Sequence, residues 1–179
     1  MPTATLPAMS QDRRNNGAVV TVAVDGSSRG NPGQAGWAWV IDADRWQCGS
    51  LGVATSIVAE LSAAHRAITA APTAVPLLVL TDSQFVLNVA TKWARSWARN
   101  GWVTRDGRPV ANKELVQQLW SAIGAREART DFRWVRGHAG HPLNEAADRL
   151  ATKASAHGQR ATSSQVAGPG WATMSGGAA

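Results

Sequence analysis

Four acidic residues carry the chemistry this chain could perform. Asp25 closes the apolar run AVVTVAVD, and Asp82 closes a second, PLLVLTD. Each has an ordinary explanation by itself. Asp-Gly after a strand is turn chemistry, and an Asp before Ser83 reads as a helix N-cap. Together they say more, because parallel strands would bring both carboxylates to one sheet edge, where open α/β sheets place their ligands. Glu60 flanks the apolar stripe of a helix on which Ile57, Leu61, Ala64 and Ile68 share a face. Asp148 lies off the stripe formed by Leu143, Ala147, Leu150 and Ala154, where a solvated helix face would account for it. Clustered carboxylates repel one another unless a hard divalent cation joins them. Mg²⁺ takes oxygen ligands and is commonly shared between carboxylates and substrate phosphate. Two such ions about 3.5–4 Å apart activate a water and stabilise a leaving oxygen in phosphodiester cleavage.

The stretch RWVRGHAGHPLNEAADRLA adds two histidines, His138 and His141. A zinc site there lacks the further ligands that zinc requires, and Cys48 is remote in sequence. KWARSWARNGWVTRDGR holds Lys92, Arg95, Arg99, Arg105 and Arg108 against one acid, Asp106, so +4 of the chain's +6 falls in this segment. On a helix Lys92, Arg95 and Arg99 share one face, with Trp93 and Trp97 nearly opposite. That spacing predicts tryptophans packed inward and a cationic ridge that meets phosphates.

Positioning these residues requires strands and helices in a definite order. AVVTVAVD, GWAWVID and RWQCGSLGV read as three consecutive antiparallel strands. A helix capped by Ser56 follows, then the buried strand PLLVLTD and a helix through SQFVLNVA. After the tryptophan-rich segment come a helix from about Asn112 to Ala125, the strand DFRWVRG, and a helix from about Pro142 to His157. The expected architecture is α/β: a mixed sheet of three antiparallel and two parallel strands, flanked by helices. Residues 1–17 read as a disordered arm, 18–157 as one domain, and 158–179 as a flexible tail carrying an isolated Trp171. The net charge of +6 and pI near 11.0 favour a polyanionic partner. One cysteine excludes an internal disulfide, and no apolar stretch is long enough for a membrane span or a signal core. A soluble, cytoplasmic protein is expected.

VDGSSRGNPG, AEL, LTDSQFV and WVRGHAGHPLNEAADRLA occur here in the order in which they occur in bacterial-type ribonuclease HI, which this chain resembles from about Val19 to Ser155. The resemblance implies the RNase H-like fold with a basic helical protrusion. It also implies hydrolysis of the RNA strand of RNA–DNA hybrids by a monomeric endonuclease using two Mg²⁺ or Mn²⁺ ions, leaving 5′-phosphate and 3′-hydroxyl ends. Asp25, Glu60, Asp82 and Asp148 match the metal ligands, Asp25 bridging the two ions, and His138 matches the loop histidine that assists proton movement or product release. Asn31, Thr55, Gln84 and Asn112 match hybrid-contacting positions. Lys92, Trp93, Arg95, Arg99 and Trp102 fall on the protrusion, with Trp102 equally suited to core packing. Ile57 departs from the family, which has an Asn there, and cannot hydrogen-bond a 2′-hydroxyl. A non-catalytic nucleic-acid-binding module is a different reading, but binding alone gains nothing from four carboxylates facing a polyanion. A related nuclease with relaxed RNA selectivity, or an exonuclease or strand-transfer enzyme of the same superfold, is the third.

Overall fold

β-branched residues build the first strand, and its pairing sets the rest of the sheet. The computed structural model describes residues 18–156 and 166–167. The arm at 1–17, Trp171 and the remainder of the tail lie outside the described residues. β1 (Val20–Gly30), β2 (Gly33–Val40) and β3 (Trp46–Ala54) form an antiparallel meander, and β4 (Leu77–Thr81) and β5 (Thr130–Trp134) add in parallel. The five-strand order β5-β4-β1-β2-β3 is the expected mixed sheet, and a two-residue strand, β6 (Val166–Ala167), pairs antiparallel with β3 at Gln47 and Cys48.

Asp25-Gly26 is not a turn. β1 continues five residues past Asp25, because Gly26 to Gly30 find ladder partners on β2, and the hairpin turns at Asn31-Pro32. Local turn preference yields there to cross-strand pairing.

Helices cover both faces. Of these, α1 (Ser56–Ala70) and α4 (Lys113–Gly124) lie on one, over a core of Val22, Val24, Trp37, Trp39, Leu61, Ile68, Val79 and Leu119. On the other, α5 (Pro142–Ala156) packs Ala147, Ala151 and Ala154 against Ala23, Ala38, Val40 and Leu80. Small residues bring α5 close: a Cβ on Gly36 would lie 2.5 Å from Ala151 O and Ser155 N. α1 is capped by Thr55, whose hydroxyl accepts from Val58 N at 3.2 Å, and not by Ser56, which begins the helix itself.

The expected helix after β4 is segmented. α2 (Gln84–Asn88) runs through a π-helical turn (Val89–Trp93) into α3 (Ala94–Arg99). Lys92, Arg95 and Arg99 are exposed as expected. Trp97 is half-buried against the core, but Trp93 is 38% exposed, packed edge-on to Phe85 and tilted against Trp97. The inward placement expected of Trp93 is therefore corrected. The π turn shifts the helical phase that put both tryptophans on one side. No described helix is long and apolar enough to cross a membrane.

Candidate active site

Parallel pairing levels the first two carboxylates. β1 and β4 are in register through Ala23 and Leu80, so two further steps bring Asp25 level with Asp82. Side-chain alternation from Ala23 and Leu80 turns both toward the α5 side of the sheet. Asp82 is not the cap of α2. Ser83 takes that role, its hydroxyl accepting from Val86 N at 3.2 Å, which leaves the Asp82 carboxylate uncommitted.

Two close approaches complete the cluster. A Cβ on Gly26 would lie 2.2 Å from Glu60 N and 2.3 Å from Ala59 C, so only glycine beside Asp25 lets α1 come this near. The Glu60 carboxylate accepts a short hydrogen bond from Ser83 Oγ, which ties α1 to the residue after Asp82. Gly137 plays the matching part in the loop after β5, where a Cβ would stand 2.6 Å from Asp82 Oδ2. Asp148 projects from α5, with His138 Nδ1 3.9 Å from its Oδ2. His138 is 80% exposed at the side chain and holds a left-handed φ of 52°.

Electrostatics register the convergence. Asp25 is 7% exposed, and its carboxyl is pushed up to about 8 by burial first, then by the charge of Asp82, with smaller contributions from Asp148 and Glu60. The Gly26 amide, 2.7 Å from Asp25 Oδ1, opposes this only in part. Burial likewise raises Glu60, eased by Ser83 and reinforced by Asp82. No described arginine or lysine pairs with any of the four carboxylates. Nor do any three described His, Cys, Asp or Glu side chains form a ready-made cage for a metal ion. Oxygen donors from β1, α1, the end of β4 and α5, one of them buried without a counter-charge, fit a hard divalent cation.

The other expected site residues fall into four groups. Asn31 and Thr55 meet at the start of α1, where Asn31 Oδ1 accepts from Ser56 N at 3.3 Å. Gln84 is exposed at the first turn of α2, beside Asp82. Lys92, Trp93, Arg95 and Arg99 line the protrusion. Trp102 packs partly against the core with a φ of 63°, and Asn112 is exposed with a φ of 54° at the entry to α4. Residue-type reasoning missed Ser83, Gly137 and Trp134, whose indole donates to Asp82 O at 2.9 Å. Only the adjacency of Ser83 to Asp82 is a signal in the sequence, and by itself it favours Asp82 as the cap where the structure uses Ser83.

A mixed sheet of this order, with Asp25 on β1 level with Asp82 just past the end of the parallel strand β4 and helices on both faces, defines an RNase H-like fold. The RNase H family model matches residues 17–156. A ribonuclease H of Tropheryma whipplei is 43% identical over 157 residues, covering 87% of this chain and 96% of that protein. Ribonuclease HI of Streptomyces coelicolor is 46% identical over 139 residues, covering 74% of this chain and 59% of that longer protein. Among solved structures, LC9-RNase H1, described as a type 1 RNase H with the type 2 active-site motif, superposes with a TM-score of 0.65. It is 27% identical, covering 89% of this chain and 82% of that one. The chain belongs to the ribonuclease H family of nucleases.

Proposed function

We propose that this protein is an endonuclease that hydrolyses the RNA strand of RNA–DNA hybrids with two divalent cations, Mg²⁺ or Mn²⁺. The observation that carries this reading is the buried, unpaired carboxyl of Asp25, raised to about 8 by burial and by three neighbouring acids. Such a site is short of positive charge and faces a substrate that is itself polyanionic.

Asp25, the most buried of the four, would hold the cations together with Glu60, Asp82 and Asp148. When bound, the cations would lower the pKa of an attacking water and neutralise charge on the leaving oxygen. Water oxygen adds to phosphorus as the bond to the 3′ oxygen breaks, leaving a 5′-phosphate and a 3′-hydroxyl. His138, exposed and facing Asp148, takes part in moving the proton or clearing the product. Lys92, Arg95 and Arg99, all exposed, bind phosphates along the hybrid, with Trp93 presenting an open ring among them. Asn31, Thr55 and Gln84 contact strands near the carboxylates, and Trp102 and Asn112 do so at the base of the protrusion. One chain supplies every group, so a monomer suffices.

A reading with relaxed RNA selectivity has one observation in its favour. Ile57 packs against the apolar core, so it offers substrate no hydrogen bond. Hybrid, duplex RNA and single embedded ribonucleotides, incubated with Mg²⁺, Mn²⁺ or EDTA, separate the two. Cleavage of the hybrid alone, abolished by EDTA, is expected. Equal cutting of duplex RNA would favour relaxed selectivity, and no cleavage of hybrid in either metal would remove the enzymatic reading.

A further inference from the structure

His138 sits in a loop whose residue types give it little reason to stay in one place. Between β5 and α5 there are glycines at 137 and 140, and two residues hold left-handed backbone, His138 with a φ of 52° and Gly140 with a φ of 82°. Gly140 adopts that φ at no steric cost. A histidine seldom does, and such backbone persists only where the surroundings over-determine it. The imidazole does not supply that restraint. It is 80% exposed, makes no hydrogen bond among the described residues, and meets Asp148 only at 3.9 Å.

The restraint comes from α5. Gly140 N donates to Glu145 Oε1 at 2.9 Å, and Glu145 N donates to His141 O at 3.0 Å, so the helix and the loop are joined in both directions. No other side-chain hydrogen bond reaches residues 136–140 among the described residues. The second carboxylate oxygen of Glu145 lies 3.9 Å from Arg149 Nη1, one turn further along α5. An acid in the first turn of a helix ordinarily serves the positive end of the dipole. That role needs a charge near the helix start and no particular partner. Glu145 instead turns Oε1 out of the helix, to an amide that precedes its first residue, Pro142. Glu145 and Asp148 are also neighbours on α5, being i and i+3. The point that fastens the loop and the acid that His138 faces are thus carried by one rigid helix and move together.

We propose that Glu145 is a positioning residue for His138: its carboxylate clamps the loop at Gly140 and so keeps the imidazole beside Asp148. The proposal rests on the hybrid-nuclease reading for what His138 does there. Glu145 touches no substrate and takes no part in bond making.

Three substitutions separate the clamp from the charge. Glu145→Gln keeps the acceptor oxygen and loses the charge. Glu145→Asp keeps the charge but is one methylene too short to reach Gly140, and Glu145→Ala loses both. Amide hydrogen exchange at Gly140 is followed by NMR on the full chain in EDTA, and steady-state cleavage of a hybrid in Mg²⁺. Exchange should quicken about tenfold in Glu145→Ala and Glu145→Asp, the protection given by one hydrogen bond, and keep its wild-type rate in Glu145→Gln. The same two variants should lose about fivefold to tenfold in kcat, the effect of a misplaced group, with KM unchanged, and Glu145→Gln should restore kcat. In a His138→Ala background, Glu145→Ala should lower kcat no further, because it acts only through the imidazole. A wild-type exchange rate or a wild-type kcat in Glu145→Ala overturns the proposal. So does a loss of kcat that follows the charge, with Glu145→Gln as impaired as Glu145→Ala, or one of equal size with His138 present or absent. If the wild type leaves hybrid uncut, the nuclease reading fails while exchange at Gly140 still decides the clamp.

Discussion

At the scale of single residues, Asp82 and Ser83 divide two jobs that either could have done. Ser83 caps α2 and holds Glu60; Asp82 is left with a free carboxylate facing Asp25. Asp82→Asn should therefore lower kcat on hybrid by on the order of a hundredfold, the usual scale for removing one preorganised group at a reacting phosphate. Its hybrid affinity and melting temperature should hold or rise, since one repelling charge is gone. Ser83→Ala should do the reverse, costing about 1 kcal/mol of stability through the lost cap while retaining most activity. Chemical denaturation and steady-state cleavage of the two variants check the assignment; an active Asp82→Asn enzyme would remove Asp82 from the site. The four acids were legible in the sequence because a carboxylate after an apolar strand, or beside a helix's buried stripe, has few places to point. The partners of those acids were not. Trp134 and Gly137 reach Asp82 only once β5 is laid beside β4, and residue spacing carries no trace of that.

Whole elements are placed by two points of close approach. Gly26 admits α1 to β1 and so delivers Glu60 to Asp25, while Gly137 lets the loop before α5 lean on the Asp82 carboxylate. The obstacles differ in kind. A Cβ on Gly26 meets helix backbone, which moves only if α1 moves. Gly26→Ala should thus cost about 1–3 kcal/mol, the range for overpacking, and abolish cleavage by withdrawing Glu60. A Cβ on Gly137 meets the tip of a side chain, so Gly137→Ala should fold with nearly unchanged stability yet lose activity through a displaced Asp82. Thermal melts paired with cleavage rates test this; equal losses of stability would refute the distinction between backbone and side-chain obstacles. The order and type of the five strands and the main helices were readable from their periodicity. Boundaries failed where tertiary pairing outweighed local preference. β1 runs through its Asp-Gly signal because β2 offers partners, and the π turn after α2 exposes Trp93 against the expectation from a regular helix.

For the molecule as a whole, the carboxylate cluster couples stability to both pH and cations. Asp25 ordinarily titrates near 3.8, but burial and its acidic neighbours push it up to about 8 in the fold. The folded state therefore holds a proton that the unfolded chain releases. Between about pH 4 and 8 the unfolded state binds fewer protons, so unfolding free energy falls as pH rises. The contribution from Asp25 is fully present below about pH 4 and is lost as pH passes through about 8. Asp25→Asn has no such dependence. In EDTA its melting temperature should match the wild type near pH 4 and exceed it by about 3–6 °C at pH 8.5, the shift for 1–2 kcal/mol in a domain of this size. Mg²⁺ should act in the opposite direction on the wild type. It binds the ionised carboxylates of the folded state alone, so saturating Mg²⁺ should raise the wild-type melting temperature. The gain should be larger at pH 8.5 than at pH 6, where the ion must first displace a proton, and much smaller in Asp25→Asn. Calorimetric scans of both proteins over this pH range, with EDTA and with Mg²⁺, check the linkage. If the wild type shows neither the alkaline deficit relative to Asp25→Asn nor a pH-dependent gain from Mg²⁺, Asp25 is not the buried, cation-seeking carboxylate on which the site is built.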